Sequence, residues 1–266
     1  MSDMEIEPRE YRCRLLAKSQ LTQNTYLYQF QVEEPSGFTF VPGQYATFII
    51  DPQTRRQYTF ASAPNGNTFE LVVDISPGGP GSRFFLNLKE GDRAQMLSPL
   101  GDFTFSDNQL KKIFVATGTG VAPFRAMIRA MLQRDKGIKG QMEEKKKQAL
   151  SHCNFVTLSL SLYWGLRYED DVYWESEFQA IASQYRGFQF YLTLSKPSPQ
   201  WKGMTGHVIQ HVFENSSFAK ASADREKNLQ NCEFYLCGNR AMIDEMETRL
   251  LAQNVQKERI KKDIFY

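Results

Sequence analysis

The chain has 266 residues, enough for two domains or one large one, and its hydrophobic fraction of 41% and charged fraction of 23% are typical of a globular protein. A formal net charge of +2 at pH 7 gives no support to binding of nucleic acid or of a membrane surface. No apolar run approaches the roughly 18 residues of a membrane span, and residues 1–9 are too polar for a targeting signal, so we expect a cytoplasmic protein.

Alternating polar and apolar side chains dominate the first hundred residues. Residues 11–31 predict two strands joined by a turn at residues 20–24, because aromatic side chains occupy every second position from Tyr26 to Phe30. Turn signals then recur at intervals of about ten residues. Short strands with regular turns predict a closed antiparallel β-barrel over residues 1–106.

The four cysteines do not form a metal-ligand set. They contain no Cys-x-x-Cys pair, and the chain has only three scattered histidines, so we predict no metal site. Cys13, Cys153 and Cys232 are predicted to be small buried apolar residues.

One strand of the predicted barrel carries side chains suited to a phosphate and a flat ring. Arg56 and Tyr58 point to one face of such a strand, while Gln57 and Thr59 point to the other. A guanidinium suits phosphate oxygens, and an aromatic ring suits stacking on a planar cofactor. A cross-strand pair on a solvated face would show the same pattern.

A glycine-rich segment at residues 77–86 is a second candidate for binding an anion. Gly79 and Gly81 precede apolar residues that predict a short helix, with Ser82 as its N-cap. The backbone N–H groups at the start of such a helix would face the anion. A plain surface turn is the alternative interpretation.

The segment 112–125 organises the second half of the chain. An apolar strand at residues 113–116 runs directly into a Thr/Gly turn, and a helical pattern with an apolar stripe follows. The turn residues are Thr117, Gly118, Thr119 and Gly120, with Pro123 at the start of the helical pattern. Glycine lets a backbone approach a ligand closely, so this pattern indicates a nucleotide phosphate site, although an ordinary tight turn resembles it.

Strands and helices alternate in residues 107–266, which predicts a doubly wound parallel α/β sheet. Ligands bind such sheets at the carboxyl ends of the strands. The Gly118 turn, Ser195 and Cys237 all follow predicted strands, so we expect them at this edge.

Residues 136–151 form a long polar segment that includes three consecutive lysines. The segment is either an extension of the preceding helix or an ordered insertion. Its basic run is either a solvated face or a docking patch for an acidic electron carrier.

Five short motifs, in order, make the chain similar to members of the ferredoxin–NADP reductase superfamily from residue 40 to residue 266. They are Arg56-Gln57-Tyr58-Thr59, Gly79-Pro80-Gly81-Ser82, Pro99-Leu100-Gly101-Asp102-Phe103, Gly118-Thr119-Gly120-Val121-Ala122-Pro123 and Cys237-Gly238-Asn239. The resemblance implies a Greek-key barrel that binds FAD over residues 1–106. It also implies an NAD(P)-binding α/β domain over residues 107–266.

The resemblance implies roles for residues around FAD. Tyr58 would stack on the isoalloxazine ring, Arg56 would pair with the pyrophosphate, and Thr59 would lie near flavin N5. The implied FAD-binding residues are Arg56, Gln57, Tyr58, Thr59, Val72, Asp74, Gly79, Gly81 and Ser82.

A second set is implied for the pyridine nucleotide, namely Thr117, Gly118, Thr119, Gly120, Pro123, Ser195, Lys196, Cys237, Gly238 and Asn239. Cys237 would lie beside nicotinamide C4 and position it without forming a covalent bond. Tyr266 would cover the flavin, as a terminal aromatic ring does in several relatives. The ending Asp263-Ile264-Phe265 resembles other relatives in which no ring does so. The implied catalytic residues are Tyr58, Thr59, Cys237 and Tyr266.

The preference between NADPH and NADH stays open at this level. Ser195 and Lys196 fall where NADPH-specific relatives bind the 2′-phosphate, and no acidic residue occupies that strand end. Trp201 and the Gly206-His207-Val208 segment instead resemble relatives that use NADH.

The resemblance implies an FAD-dependent NAD(P)H oxidoreductase. It would pass hydride between nicotinamide and flavin, and electrons to or from ferredoxin, flavodoxin or another small carrier. One alternative is a flavin or quinone reductase, or the reductase component of an oxygenase. Another is a non-catalytic flavin-binding electron-transfer subunit, although the C-terminal cysteine cluster of such proteins is absent here.

Overall fold

The computed structural model describes residues 7–106, 108–145, 159–214 and 229–264, with the side chains of 135–145 left undescribed. Two six-stranded sheets form the molecule, one antiparallel and one parallel. No helix in these ranges is long and apolar enough to cross a membrane. Cys153 and Tyr266 lie outside the described residues.

The first sheet is antiparallel and has the strand order β4-β3-β6-β1-β2-β5. Its strands are β1 (Arg9–Gln20), β2 (Thr25–Glu34), β3 (Tyr45–Asp51), β4 (Thr54–Thr59), β5 (Thr68–Asp74) and β6 (Arg93–Leu100). A bridge between Phe60 and Leu71 joins the two ends of the sheet and closes it into a barrel. Buried aromatic rings, among them Phe30, Phe48 and Phe85, fill the interior. The predicted antiparallel barrel is confirmed.

The helix of the first domain, α1 (Pro80–Asn87), begins two residues earlier than its predicted cap. The prediction that Ser82 is the N-cap was wrong, because Gly79 occupies that position and Ser82 lies in the first turn. Proline suits the first helical position, since its φ is already helical and its missing N–H would have no partner in the helix.

The carboxyl end of α1 is fixed to the barrel. The ammonium group of Lys18 donates to the carbonyl oxygen of Leu86 at 2.5 Å, and the Tyr28 hydroxyl donates to the carbonyl oxygen of Phe85 at 2.9 Å. A cation at this end also complements the helix dipole. The helix therefore has a fixed position relative to β1 and β2.

The second sheet is parallel and has the strand order β10-β9-β8-β7-β11-β12. Its strands are β7 (Lys111–Thr117), β8 (Leu160–Leu166), β9 (Phe188–Leu194), β10 (Met204–Thr205), β11 (Cys232–Gly238) and β12 (Ile260–Ile264). The helices are α2 (Ala122–Lys145), α3 (Glu175–Gln184), α4 (Val208–Glu214) and α5 (Arg240–Ala252).

Two separate buried clusters cover the two faces of this sheet, so the predicted doubly wound arrangement is confirmed. The strand order reverses at β7, whose neighbours are β8 on one side and β11 on the other. Doubly wound sheets bind ligands at such a switch point. The short edge strand β10 carries no sequence pattern that predicted it.

The polar segment at residues 136–151 begins as a continuation of a helix, since α2 runs to Lys145. The interpretation as a helix extension holds for that part, and the rest of the segment lies outside the described residues. The three lysines, interpreted either as a solvated face or as a docking patch, have side chains that the structure does not describe.

Candidate functional site

The arginine motif at residues 56–59 and the glycine motif at residues 79–82 lie against each other in the first domain. Gly81, in the first turn of α1, is buried, and a Cβ atom added there would overlap the hydroxyl of Tyr58. The same atom would lie 3.2 Å from Cγ of Arg56. The start of α1 and the face of β4 that bears both side chains therefore form one concave surface.

The ring of Tyr58 is fixed by aromatic neighbours. Its centroid lies 4.5 Å from that of Phe85 and 5.8 Å from that of Phe48. Burial raises the pKa of the Tyr58 hydroxyl to about 12, although the nearby Arg56 charge opposes this. The phenol therefore stays neutral at neutral pH, and Thr59 beside it is buried.

Gln57 faces away from this surface, as the strand alternation predicts. Its side-chain amide donates to the Tyr45 hydroxyl at 3.2 Å on the neighbouring strand β3. It therefore belongs to the opposite face of the strand from Arg56.

The chemistry of this concave surface fits FAD. Arg56 and the backbone N–H groups at the start of α1 suit a pyrophosphate, and the ring of Tyr58 suits an isoalloxazine. Gly81 leaves free the space that a side chain would fill.

The Gly118 turn lies against the end of β11. The turn is a short 3-10 helix, Gly118–Val121, and a Cβ atom on Gly120 would overlap the carbonyl oxygen of Cys237. Thr117 Oγ1 accepts hydrogen bonds from the backbone N–H and the side-chain amide of Asn239, each at 3.0 Å. The ends of β7 and β11, two of the three strand ends predicted to share one edge of the sheet, are thus in direct contact.

The carbonyl group of Gly118 is held by two aromatic donors. Trp164 Nε1 donates to it at 2.9 Å, and the Tyr173 hydroxyl donates at 3.5 Å. Both rings are buried, and burial raises the pKa of Tyr173 above its ordinary value. The sequence interpretation missed both residues, because neither belongs to the glycine motif.

Asn239 is the N-cap of α5, and its side chain is engaged within the chain. Its Oδ1 accepts from the backbone N–H of Met242 at 2.8 Å, while its amide nitrogen donates to Thr117. These contacts fix the turn after β11. The predicted nucleotide contact of Asn239 stays a prediction.

Cys237 is fully buried. Burial raises the pKa of its thiol well above the ordinary value, and the charge of Asp263 adds to this effect. A protonated thiol is a poor nucleophile, so this environment disfavours covalent chemistry, and the positioning of nicotinamide by Cys237 stays a prediction.

Other predicted residues lie at the same edge or at the domain junction. Ser195 and Lys196 follow β9, and the backbone N–H of Lys196 donates to the carbonyl oxygen of Arg167 at 2.9 Å. Val72 belongs to the same buried cluster as Val121, so β5 contacts the nucleotide-binding half of the molecule. Asp74, at the end of β5, is exposed.

The titration of Asp263 should affect the stability of the folded protein in the acid range. It pairs in register with Cys237, and burial together with the Asp102 charge raises the pKa of its carboxyl from 3.8 to about 6. A raised carboxyl pKa means that the folded state holds the proton more tightly than the unfolded state. The free energy of unfolding therefore falls as pH rises from 3.8 to about 6.

We expect Asp263→Asn to stabilise the protein by about 1–3 kcal/mol at pH 8 and to have little effect at pH 4. Thermal unfolding of the variant and the wild type at both pH values measures this. Asp102→Asn is the control, because it removes only the neighbouring charge and should give a smaller gain. An equal change in melting temperature at both pH values would contradict the prediction.

Comparisons with known proteins agree with this architecture. Residues 12–105 match the family described as oxidoreductase FAD-binding domain, and residues 114–248 match the oxidoreductase NAD-binding domain. The chain is 30% identical over 244 residues to ferredoxin–NADP reductase B of Sorangium cellulosum, covering 90% of each protein.

Two further similarities extend this result. The chain is 27% identical over 219 residues to the electron transfer component of anthranilate 1,2-dioxygenase of Acinetobacter baylyi, covering 81% of this chain but 55% of that protein. The crystal structure of the Amycolatopsis cytochrome P450 reductase GcoB has the same fold, with a TM-score of 0.78 at 24% identity over 97% of this chain and 70% of that one. The chain belongs to the ferredoxin–NADP reductase superfamily of FAD- and NAD(P)-binding oxidoreductases.

Proposed function

We propose that this protein is an FAD-dependent NAD(P)H oxidoreductase that exchanges electrons with a separate small carrier such as a ferredoxin or flavodoxin. The observation that supports this most directly is the contact between its two halves. Ala61 and Val72 of the barrel belong to the same buried cluster as Val121 and Ala122 of the nucleotide turn. Ligands bound by the two halves would therefore meet at the junction.

The residues of the chain would hold and orient the two cofactors. Arg56 and the N–H groups of the first turn of α1 would bind the FAD pyrophosphate, and Tyr58 would stack on its ring. Cys237 and the Gly118 turn would position the nicotinamide. When bound, FAD supplies the chemistry, because it accepts a hydride and can release electrons one at a time.

The visible spectrum of the purified protein tests the proposal. We expect flavin absorbance near ~450 nm that is bleached by NADPH or NADH without oxygen, since flavin chemistry belongs to the cofactor. The reduced protein is then mixed with a ferredoxin, a flavodoxin or a quinone, and reduction of each is followed. A protein that binds no FAD on reconstitution would overturn the proposal. Rapid reduction of the quinone alone would favour the quinone reductase alternative.

We also propose that NADPH is the preferred nucleotide. Arg167 and Lys196 are exposed and follow the adjacent strands β8 and β9, with a backbone hydrogen bond between them. The acidic residue nearest in sequence to Arg167, Glu169, has its carboxylate engaged by the backbone N–H of Ser198 at 2.8 Å. Two cations at this edge suit the 2′-phosphate of NADPH.

Lys196→Ala is expected to raise KM for NADPH about tenfold and to leave KM for NADH unchanged. A hydrogen bond between charged groups contributes roughly 1.5–3 kcal/mol, and we expect the lower end of this range because Lys196 is exposed. Steady-state kinetics with both nucleotides measure this. Lys202→Ala, another exposed lysine of the same region, is the control. A wild-type protein that prefers NADH would contradict the assignment.

A further inference from the structure

Arg125 is a charged residue that is buried between the two halves of the molecule. Its side chain is only 4% exposed, which arginine rarely shows unless it is fully paired. It lies in the first turn of α2, two residues after Pro123 of the nucleotide turn. The nucleotide motif gives no role for Arg125, because its side chain contacts Ala61, Glu70 and Glu177 and no residue of the glycine turn.

One side of the Arg125 guanidinium contacts the barrel. Nη1 donates to the carbonyl oxygen of Ala61 at 2.9 Å and to Oε2 of Glu70 at 2.7 Å. Ala61 follows Thr59, the residue expected beside flavin N5, by two positions. The backbone N–H of Ala61 also donates to the carbonyl oxygen of Glu70 at 2.8 Å, so both acceptors belong to one rigid element.

The other side of the guanidinium contacts the nucleotide-binding half. Nε donates to Oε2 of Glu177 at 3.0 Å, and the guanidinium carbon lies 4.0 Å from the centroid of the Trp174 ring. Arg129 also contacts both carboxylates, at 2.8 Å from Glu177 and 3.4 Å from Glu70. Two arginines and two glutamates balance in charge, which makes their burial tolerable.

The residue that packs on the Arg125 guanidinium, Trp174, has an unusual backbone conformation. Trp174 has a left-handed conformation with φ of 56°, which a bulky residue adopts only at an energetic cost. Its ring packs on Tyr173 at 4.9 Å, and the Tyr173 hydroxyl donates to the carbonyl oxygen of Gly118. Contacts thus run without a break from the Gly118 turn through Arg125 to Ala61.

The geometry points to Arg125 as a positioning residue that fixes the spacing between the flavin strand and the nucleotide turn. This inference rests on the proposed function, in which the nicotinamide is oxidised and the flavin reduced by transfer of one hydride. A planar guanidinium with contacts on both sides resists sliding more than a flexible ammonium does. An error of about 1 Å in the position of reacting groups can slow such a step about a hundredfold.

The test compares Arg125→Met with Arg129→Met, a matched control. Arg129 lies one turn later on α2 and is paired with the same carboxylates, but it is 36% exposed. We expect Arg125→Met to slow flavin reduction at saturating nucleotide about 30- to 100-fold, with KM and FAD affinity within about threefold of wild type. Arg129→Met should change the rate less than about threefold, because its exposed contacts are weaker.

A second measurement does not depend on activity. Calorimetry of the protein without FAD should show a lower melting temperature for Arg125→Met than for Arg129→Met, since the Arg125 side chain is buried between the two halves and that of Arg129 is 36% exposed. If Arg125→Met does not fold, Glu70→Gln replaces it. It weakens the contacts of Arg125 and Arg129 with the barrel, keeps their contacts with Glu177, and should slow reduction about tenfold.

Three outcomes would overturn the inference. They are a wild-type reduction rate in Arg125→Met, an equal loss of rate in Arg129→Met, and a loss of FAD affinity that accounts for the whole effect. A wild-type protein that binds no FAD would instead refute the proposed function, and the calorimetric comparison would still test the coupling of the two halves.

Discussion

Gly81→Ala is expected to weaken FAD binding about a hundredfold. Its added methyl group would overlap the Tyr58 hydroxyl and crowd the Arg56 side chain. Overpacking at a fixed contact costs about 1–3 kcal/mol, and each 1.4 kcal/mol corresponds to a factor of about ten in affinity. The loss should appear in FAD affinity, because both displaced side chains belong to the proposed FAD site.

Neither side of this contact can move away easily. The Tyr58 ring is packed against Phe48 and Phe85. Helix α1 is fixed at its other end by hydrogen bonds from Lys18 and Tyr28 to its last carbonyl groups. The methyl group must therefore shift the start of α1, where the pyrophosphate would be bound.

Titration of the protein with FAD, followed by flavin fluorescence, measures the effect. The double variant Gly81→Ala/Tyr58→Phe is the sharpest test, because without the hydroxyl the nearest ring atom lies at an ordinary 3.6 Å from the new methyl. We expect it to recover about tenfold in affinity over Gly81→Ala. Gly79→Ala is the control for the overlap with Tyr58, since a methyl there meets no protein atom within 4 Å. Unchanged affinity in Gly81→Ala would remove Gly81 from the site.

Local sequence patterns were sufficient for the parts of the fold that depend on neighbours in the chain. The alternation of aromatic residues between Tyr26 and Phe30 predicted the β2 strand, and the turn signals predicted a closed barrel. The strand, glycine turn and helix at residues 113–132 were predicted for the same reason. The edge shared by the Gly118 turn and Cys237 followed from a general property of parallel sheets.

The features that the sequence did not predict depend on contacts between distant segments. Arg125 donates to Glu70 and Glu177, which lie 55 and 52 positions away. No local pattern marks such a pairing, and a charged residue near an apolar stripe is predicted to face solvent. The left-handed backbone of Trp174 likewise has no signal in a sequence that lacks glycine there.

The wrong N-cap prediction at Ser82 has a different cause, because two local signals for the start of a helix lie close together in the sequence. Serine is a preferred N-cap, but Gly79 supplied a cap three positions earlier and Pro80 a favourable first residue two positions earlier. The helix began at the earlier signal. Tyr266 illustrates a third limit, since its proposed role depends on residues that the structure does not describe and remains a prediction.

Gly120→Ala is expected to lower the free energy of unfolding of the second domain by about 2–4 kcal/mol and to slow nucleotide-driven flavin reduction at least about a hundredfold. The new methyl group would overlap the carbonyl oxygen of Cys237 and lie 2.6 Å from its carbonyl carbon. It would also lie 2.8 Å from Cα of Gly238. These atoms are backbone atoms of β11, which is hydrogen-bonded to both β7 and β12 and cannot move independently.

Gly118→Ala, in the same turn, is the matched control for stability. Gly118 has a φ of 55°, so alanine there is strained, but the added methyl group meets nothing within 4 Å. We therefore expect a cost of only about 1 kcal/mol, which reflects the left-handed backbone alone. The comparison separates backbone strain from the steric overlap that is specific to Gly120.

Chemical denaturation of the three proteins, together with FAD titration and anaerobic reduction by NADPH, measures the prediction. FAD affinity should stay within about threefold of wild type in Gly120→Ala, because Gly120 belongs to the nucleotide turn and not to the barrel strand that carries Arg56 and Tyr58. Equal destabilisation in Gly118→Ala and Gly120→Ala would contradict the steric argument. A Gly120→Ala protein that is stable but still fully reduced by nucleotide would show that the close contact of the turn with Cys237 is not needed for the reaction.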